Sequence, residues 1–339
     1  MGLPSEHGVA WRGRLVRILV AVGWIVIFIG MLRVLDGKQS IGMLTQLDTA
    51  QLLPLSLIFL LLVCLSVVLR GVRWWLLMQH DQNLPLRETI LIYCWVFFLK
   101  SFTPMRSGEL LRALWAKKHG GSAAYTVGTI VIERLLDILA IVILVGLVAL
   151  AFGFSALDRN YLWFIPVAII VIVLSFALAG KLRYLTAGHR AVERPTSWMV
   201  SWGAAKVLRL LDRLLGAFEQ IGRPQHLLQS ILITIVIWLL VGGAYYVILN
   251  SYFPSLSPSA AYLMILAVNV VAMVGAAPAN IGSYEAAGVL TLMAMGAEAQ
   301  LALAVVIATH ALILLSSIIC GVIARVLLRR QFESLTALY

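Results

Sequence analysis

The sequence predicts an all-α protein that crosses a membrane several times and whose helices are interrupted twice at membrane depth. Hydrophobic residues make up 62% of the 339 residues and charged residues only 12%, with a mean hydropathy of +0.98. A soluble domain carries roughly 25% charged residues, so this chain belongs in a bilayer. Its apolar residues also fall into long runs, and about 20 residues suffice to cross a hydrocarbon core of about 30 Å.

Six apolar runs are long enough to span the bilayer. They cover about residues 15–35, 52–77, 125–153, 161–180, 227–250 and 299–326. Arg12, Arg14 and Arg17 precede the first run, as basic residues do in a signal peptide. Because no small-residue cleavage site follows that run, we expect an uncleaved first span.

Two further regions, about 88–118 and 258–296, are apolar but contain a break of the form Pro-x-x-x-Gly. The breaks run from Pro104 to Gly108 and from Pro278 to Gly282. Irregular backbone is tolerated at membrane depth only where protein or a wet cavity surrounds it, so we predict two re-entrant helical hairpins. Paired interruptions in two halves of a chain are also the best sequence indication of a transporter's binding site.

The distribution of basic residues predicts the orientation. Most basic residues lie on one side of the predicted membrane. They precede the first span, follow the second and the last span, and fill the central loop. Those after the second span are Arg70, Arg73 and Arg87. The opposite side carries only Arg33, Lys38 and Arg159. By the positive-inside rule both termini are cytoplasmic, so the two hairpins enter from opposite sides and the two halves are inverted repeats.

The domain organisation follows from these elements. We expect a cytoplasmic N-terminus (1–14), a membrane domain (15–328) with a first half (about 15–160), a linker (about 181–226) and a second half (about 227–328), and a cytoplasmic tail (329–339). Apolar side chains at helical spacing beside basic ones predict an amphipathic helix in the linker. No stretch outside the spans is long enough for a soluble catalytic core.

Ionisable side chains at membrane depth are costly, and each is treated as a functional hypothesis. The candidates around the first break and on the next helix are Arg106, Glu109, Arg112, Glu133, Arg134 and Asp137. The spacing of the last three allows their head groups to meet on one helix face. Arginines beside the free amides of a helix start form an anion site, which favours a lipid phosphate. A structural ion-pair network is the alternative.

The second break has no arginine and offers Asn280 and Glu285 instead. Glu285 is suited to binding an amine or sugar hydroxyls, or to taking up a coupling proton. His310 follows Glu285 by 25 residues, as Arg134 follows Glu109. The sequence allows two roles for His310: it relays a proton, or its ring only packs against neighbouring helices.

Several functions find no support in the sequence. No nucleotide-binding Gly-rich loop is present, and the basic residues form no single face for nucleic acid. The three cysteines lie inside apolar runs without metal-ligand spacing, and we interpret them as small buried hydrophobic residues. We therefore expect no metal, no cofactor and no catalytic residue.

The sequence resembles the membrane region of the lysylphosphatidylglycerol synthase family, also called the flippase-like family. The resemblance covers about residues 15–328 and marks Pro104, Gly108, Glu109, Arg112, Glu133, Arg134, Asp137, Pro278, Gly282 and Glu285 as family positions. Family members of this shape are implicated in moving lipids between leaflets: aminoacylated phosphatidylglycerol, polyprenyl-linked glycans or hopanoids. Bifunctional members add a soluble aminoacyl-transferase domain, which this sequence does not show, so the resemblance implies that the transfer activity is absent.

Together these observations predict a lipid translocase in a bacterial or archaeal inner membrane, acting on an anionic or polyprenyl-linked lipid. Expected partners are membrane lipids, a lipid-modifying enzyme or glycosyltransferase, and a second copy of the chain. Three other interpretations stay open. They are a membrane-embedded enzyme acting on lipid, a secondary carrier of small molecules or ions, and a non-transporting subunit of a cell-envelope glycosyltransferase.

Overall fold

The structure, a computed structural model, describes residues 49–79, 84–103, 108–152, 224–274 and 278–329, together with scattered positions between 22 and 42. Within these residues it contains α-helices, one 3₁₀ turn and no β-strand. The eight helices are α1 (Thr49–Met78), α2 (Leu86–Phe102), α3 (Gly108–Lys118), α4 (Ala123–Phe152), α5 (Pro224–Tyr252), α6 (Ser259–Val274), α7 (Ser283–Ala294) and α8 (Ala299–Leu327). The predicted all-α membrane fold is confirmed for this part of the chain.

Among the residues that the structure describes, four helices are long and apolar enough to cross a bilayer. Their apolar stretches are Leu52–Met78 in α1, Tyr125–Phe152 in α4, Gln225–Tyr252 in α5 and Ala299–Leu327 in α8. They match four of the six predicted spans. The predicted span at 161–180, the linker up to residue 223 and the tail beyond 329 lie outside the described residues, and 15–35 is described only at scattered positions. The total of six spans stays a prediction.

Both predicted breaks separate one helix from the next. Helix α2 ends at Phe102 and α3 begins at Gly108, while Pro104 and Arg106 lie outside the described residues. In the second break the 3₁₀ turn Pro278–Asn280 joins α6 to α7. The left-handed backbone of Gly282, with φ of 84°, suits a residue without a Cβ. How deep each pair of helices reaches into the bilayer stays a prediction.

The two halves repeat one pattern of helices. Each half has a long helix, two shorter helices separated by a break, and a second long helix. Helices α3 and α7 end at glycines with positive φ, Gly120 at 87° and Gly296 at 88°, positions that differ by 176 residues. The next amide in each case, from Gly121 and from Ala297, bonds back to the helix at 2.8 and 3.0 Å. Both helices therefore end in the same glycine-dependent cap.

The equivalent helices α1 and α5 pack against each other in antiparallel directions. Near the start of α1, the Phe59 ring lies 5.5 Å from the ring of Tyr245, late in α5. Near the end of α1, Arg73 bonds to Thr234, early in α5. Since corresponding helices run in opposite directions, the two halves are inverted repeats related by a pseudo-two-fold axis through this crossing.

The remaining helix contacts obey the same symmetry. Helix α2 packs on α8 and α6 packs on α4, so the first short helix of each half lies against the last long helix of the other. Within each half, the short helices also pack on their own long helices. The largest buried hydrophobic cluster draws its side chains from both halves. The core is therefore shared, and neither half encloses it alone.

The crossing of α2 and α8 depends on a close approach at Gly321. A Cβ added there would lie 2.5 Å from Cγ and 2.6 Å from Cβ of Phe98. Both atoms are near the α2 backbone, where the side chain has little freedom to move aside. The absence of a side chain at Gly321 thus sets the distance between the two halves.

We expect Gly321→Ala to lower the stability of the purified protein by about 1–3 kcal/mol through overpacking. Its matched control is Gly243→Ala in α5, where the nearest atom to an added Cβ is 4.0 Å away. Because alanine favours helix by about 1 kcal/mol over glycine, the control should be neutral or stabilising. Thermal unfolding in detergent measures both, and equal melting temperatures for the two variants would contradict this account.

Candidate functional site

A cavity of about 160 Å³ lies beside the crossing of α1 and α5, where the two halves meet. Its polar lining comes from α1 and α5, from α2 and α6, and from α4. These lining residues are Ser66, Arg70, Lys100, Arg134, Asp137, Trp238, Tyr245 and Asn269. A cavity at the interface of inverted repeats is where transporters of this kind bind their substrates.

Asp137 on α4 is the shared ion-pair partner of two buried arginines of α1. Arg73 donates to both carboxylate oxygens, at 2.7 and 3.4 Å, and Arg70 donates to one at 3.1 Å. The indole N–H of Trp238 on α5 also donates to the Asp137 carboxylate, at 3.0 Å. Arg73 also donates to Thr234 Oγ1 at 2.9 Å. One carboxylate thus ties together α1, α4 and α5 from both halves.

The face of Trp238 contributes a second interaction to this cluster. The guanidinium carbon of Arg70 lies 4.7 Å from the centre of the indole ring. Such a cation–π contact is worth about 2 kcal/mol or more when the pair is desolvated. Trp238 therefore holds both the arginine and its carboxylate partner at the cavity wall.

Two ion pairs connect α3, the helix after the first break, to α4. Arg112 donates to Glu133 Oε2 at 2.7 Å, and Arg134 pairs with Glu109. The two pairs differ in exposure. The side chains of Arg112 and Glu133 are 2% and 4% exposed, whereas those of Arg134 and Glu109 are 30% and 21% exposed. Only the second pair can exchange partners with a ligand at low cost.

Arg112 is enclosed by aromatic rings. Its guanidinium carbon lies 4.3 Å from the ring centre of Trp74 and 5.0 Å from that of Tyr93. Trp74 in turn packs on Trp115, with ring centres 5.8 Å apart. This cage fastens α3 to α1 and α2, so Arg112 positions the first break and does not line the cavity.

The second break is held by a pair of titratable residues. His310 Nδ1 lies 2.5 Å from Glu285 Oε1, and Glu285 Oε2 accepts from the Gly282 amide at 2.7 Å. His310 Nε2 lies 2.9 Å from the Ala279 carbonyl oxygen. Because a carbonyl only accepts, Nε2 carries a hydrogen, and a second proton is shared between Nδ1 and the carboxylate. The pair therefore fixes both ends of the turn between Ala279 and Gly282.

The ion pairs at the two breaks occupy equivalent positions. Arg134 pairs with Glu109, and His310 pairs with Glu285, in each case 25 residues apart. Positions 109 and 285 differ by 176 residues, the same offset as that between Gly120 and Gly296. The same contact is thus made by a permanently charged side chain in the first half and by a protonatable one in the second.

Tyr284 connects the second break to the cavity. Its ring stacks on His310, with centres 4.1 Å apart and planes inclined by 15°. Its hydroxyl lies 2.7 Å from that of Tyr245, which lines the cavity, and 3.3 Å from Thr309 Oγ1. The second break and the cavity wall are therefore connected by direct contacts through two tyrosine side chains.

A family model described as the lysylphosphatidylglycerol synthase TM region matches residues 14–321 of the chain. The protein belongs to this family. The UPF0104 membrane protein of Pyrococcus horikoshii is 25% identical over 280 residues, covering 74% of this chain and 79% of that protein. No solved structure matches the chain at a significant level. The resemblance inferred from the sequence motifs is confirmed, and the chain is a membrane protein of this family.

In this TM-region protein the predicted site residues fall into separate groups. Arg134 and Asp137 line the cavity. Glu109 and Glu133 are the partners of cations, and Asn280 lies half-buried in the second break. The spacing of Glu133, Arg134 and Asp137 predicts head groups that can meet on one face of α4, and Arg134 and Asp137 do line one cavity. Each of the three pairs with a residue of another helix, because charges on one helix face different neighbours.

The sequence interpretation missed several cavity residues. Arg70 and Arg73 were assigned as cytoplasmic orientation signals, but they are 9% and 0% exposed and bind Asp137. Their position within the predicted span 52–77 was the available signal. Lys100, Trp238 and Tyr245 carried no pattern that distinguished them from other residues of apolar helices.

We expect Asp137→Asn to destabilise this family member by about 3–5 kcal/mol, since it leaves two buried arginines without a carboxylate. Arg70→Gln should cost less, because Arg73 keeps both of its bonds to Asp137. Thermal unfolding of the two purified variants in the same detergent tests the order. A larger loss for Arg70→Gln would show that Asp137 is not the centre of the cluster.

Proposed function

We propose that this protein is a lipid translocase of the cytoplasmic membrane and not an enzyme. The observation that carries the proposal is the cavity between the inverted halves, whose lining within the described part of the chain includes Arg70, Lys100, Arg134 and a single carboxylate, Asp137. That carboxylate is already bound by two arginines. A cavity with excess positive charge favours an anionic group, and in a lipid bilayer the abundant anionic group is a headgroup phosphate.

The partly exposed pair of Arg134 and Glu109 is the proposed phosphate site. Guanidinium groups bind phosphate oxygens in a bidentate manner, so a phosphate can replace the Glu109 carboxylate as the partner of Arg134. The more buried pairs of Arg73 with Asp137 and of Arg112 with Glu133 stay closed and hold the helices. Binding then costs only the exchange of one exposed ion pair.

Movement of the headgroup follows from the inverted halves. Inverted repeats give two related arrangements in which the same central site opens to opposite sides. The headgroup would occupy the cavity between α1 and α5 while the acyl or polyprenyl tails remain in the surrounding lipid. In this mechanism the two halves move against each other about their antiparallel crossing.

We further propose that His310 and Glu285 couple this movement to protons. The contact between His310 Nδ1 and Glu285 Oε1 is a hydrogen bond only while one proton lies between the two atoms. Without that proton, a lone pair on the nitrogen faces a lone pair on the oxygen. The nearby titratable groups are Tyr284, stacked on His310, and Tyr245 on α5; Lys100 and Arg70 face the cavity from α2 and α1. Loss of the shared proton would release the turn between Ala279 and Gly282.

The decisive test is translocation by purified protein in vesicles of phosphatidylcholine with labelled phosphatidylglycerol. We expect wild-type protein to move the label and Arg134→Gln to slow it at least about tenfold, as loss of a charge-assisted phosphate contact of about 1.5–3 kcal/mol implies. The matched control is Lys117→Gln, which removes an exposed cation of α3 outside the cavity lining. If wild-type protein moves nothing unaided, the non-transporting subunit becomes the better interpretation.

The proton proposal makes a separate prediction. Because the two side chains share a proton, translocation by wild-type protein should change with pH, and His310→Gln should remove this dependence. His226→Gln, at the half-buried start of α5, is the matched control and should keep the wild-type pH profile. Initial rates in vesicles of equal internal and external pH measure it. An unchanged profile in His310→Gln would leave the pair with a structural role only.

The proposal also includes the membrane orientation and the partners of the protein. Both termini are placed in the cytoplasm, and a lipid-modifying enzyme or glycosyltransferase and a second copy of the chain are the proposed partners. The cytoplasmic assignment of the termini is supported by the distribution of basic residues at the helix ends, such as the exposed Lys117 and Lys118 at the end of α3.

A further inference from the structure

Glu109, in the first turn of α3, loses its partner when a phosphate takes its place on Arg134. The Glu109 side chain is 21% exposed, so water reaches the carboxylate only in part. An unpaired charge that is partly removed from water is costly, and this cost opposes the binding of the phosphate. A second cation that binds the displaced carboxylate would remove the cost. The residues around Glu109 therefore decide how readily the exchange occurs.

The cations that act most strongly on the Glu109 carboxylate are Arg134, Lys100 and Arg112. Arg134 is its present partner and the proposed phosphate ligand. Arg112 is bound to Glu133 and only 2% exposed, so it cannot turn to Glu109 without leaving a buried carboxylate unpaired. Of these three cations, Lys100 is therefore the one that can take over Glu109.

The backbone brings Lys100 and Glu109 to the same place, where the end of α2 lies against the start of α3. A Cβ added at Gly108 would lie 2.9 Å from the Val96 carbonyl oxygen and 3.4 Å from Leu99 Cβ. Lys100 directly follows Leu99, and Glu109 directly follows Gly108. The two charged side chains thus extend from neighbouring positions on the two sides of the first break.

The present contact of the Lys100 ammonium leaves it able to move. Its Nζ lies 5.0 Å from the ring centre of Phe97, one turn earlier on α2, and both side chains line the cavity together with Arg134. A cation–π contact is weak where the cation stays solvated, and lysine carries its charge on a flexible aliphatic stem. The ammonium can therefore turn from the ring to a carboxylate while the α2 backbone stays in place.

We infer that Lys100 is a positioning residue that receives the Glu109 carboxylate when a phosphate binds to Arg134. This inference rests on the proposed translocase function and assigns a further residue to the same site. Glu109 exchanges a partner on α4 for a partner on α2. The phosphate then enters the cavity without leaving a carboxylate unpaired at membrane depth.

The exchange also changes which helices are joined at the first break. In the described structure Glu109 joins α3 to α4 through Arg134. After the exchange it joins the first turn of α3 to the last turn of α2, and the buried pair of Arg112 with Glu133 remains as a link between α3 and α4. Occupation of the cavity thereby changes the contacts of the first break.

A double-mutant cycle tests whether Lys100 acts through Glu109 or binds the phosphate itself. Purified protein in detergent is titrated with dioleoyl phosphatidylglycerol, and native mass spectrometry measures the fraction of protein with bound lipid. We expect Lys100→Met to lower the affinity about fivefold, the effect of one partly exposed ion pair, and Lys100→Arg to restore it. In a Glu109→Gln background Lys100→Met should have no effect, because no carboxylate is displaced.

The matched control is Arg87→Met, which removes an exposed cation at the start of the same helix, outside the cavity lining. It should bind the lipid as wild-type protein does, and melting temperatures show whether each variant is folded. An equal loss of affinity from Lys100→Met in both backgrounds would overturn the inference, since Lys100 would then contact the lipid directly. An unchanged affinity in both backgrounds would overturn it as well.

The same titration separates this inference from the proposed function. Arg134→Gln should weaken binding of phosphatidylglycerol whether or not the Glu109 carboxylate is present. If Arg134→Gln binds the lipid as tightly as wild-type protein, the proposed phosphate site is wrong and the inference fails with it. If Arg134→Gln weakens binding but the effect of Lys100→Met is independent of Glu109, the phosphate site stands and only the exchange is wrong.

Discussion

The carboxylate of Asp137 is the interaction on which the rest of the described structure depends. Arginine cannot lose its charge in a protein, so Arg70 and Arg73 remain in the membrane interior only while a fixed anion lies beside them. Asp137 supplies that anion from α4, and Trp238 orients it from α5. Three long helices from two halves are thereby held at one point, and the cavity forms next to it.

The ion pairs around the cavity divide by exposure rather than by charge. Pairs that are almost fully buried cannot be opened without leaving a charge in a medium of low dielectric, and they set the helix positions. The pair of Arg134 with Glu109 is partly exposed, so its charges can be solvated or bound by a ligand. A membrane protein that handles a charged headgroup needs both kinds, rigid pairs that define the site and one open pair that exchanges.

The long helices and the breaks could be predicted from the sequence, because length and apolar composition are local properties. The partners of the intramembrane charges were not predictable in the same way. Glu133, Arg134 and Asp137 are neighbours in sequence, yet each binds a residue of another helix, and only the packing of helices decides which one. The equal 25-residue spacings from Glu109 and from Glu285 were visible in the sequence, and both proved to be direct contacts.

The inverted halves are alike in backbone but unlike at equivalent side chains. If the side chains matched as well, the arrangements open to either leaflet would have equal free energy and would be equally populated at rest. Arginine in the first half and histidine in the second remove that degeneracy. In the translocase proposed here, this difference would set which leaflet the resting protein faces, and it would make that choice depend on proton activity. By detailed balance it cannot by itself accumulate lipid in one leaflet, so net pumping requires a gradient across the membrane.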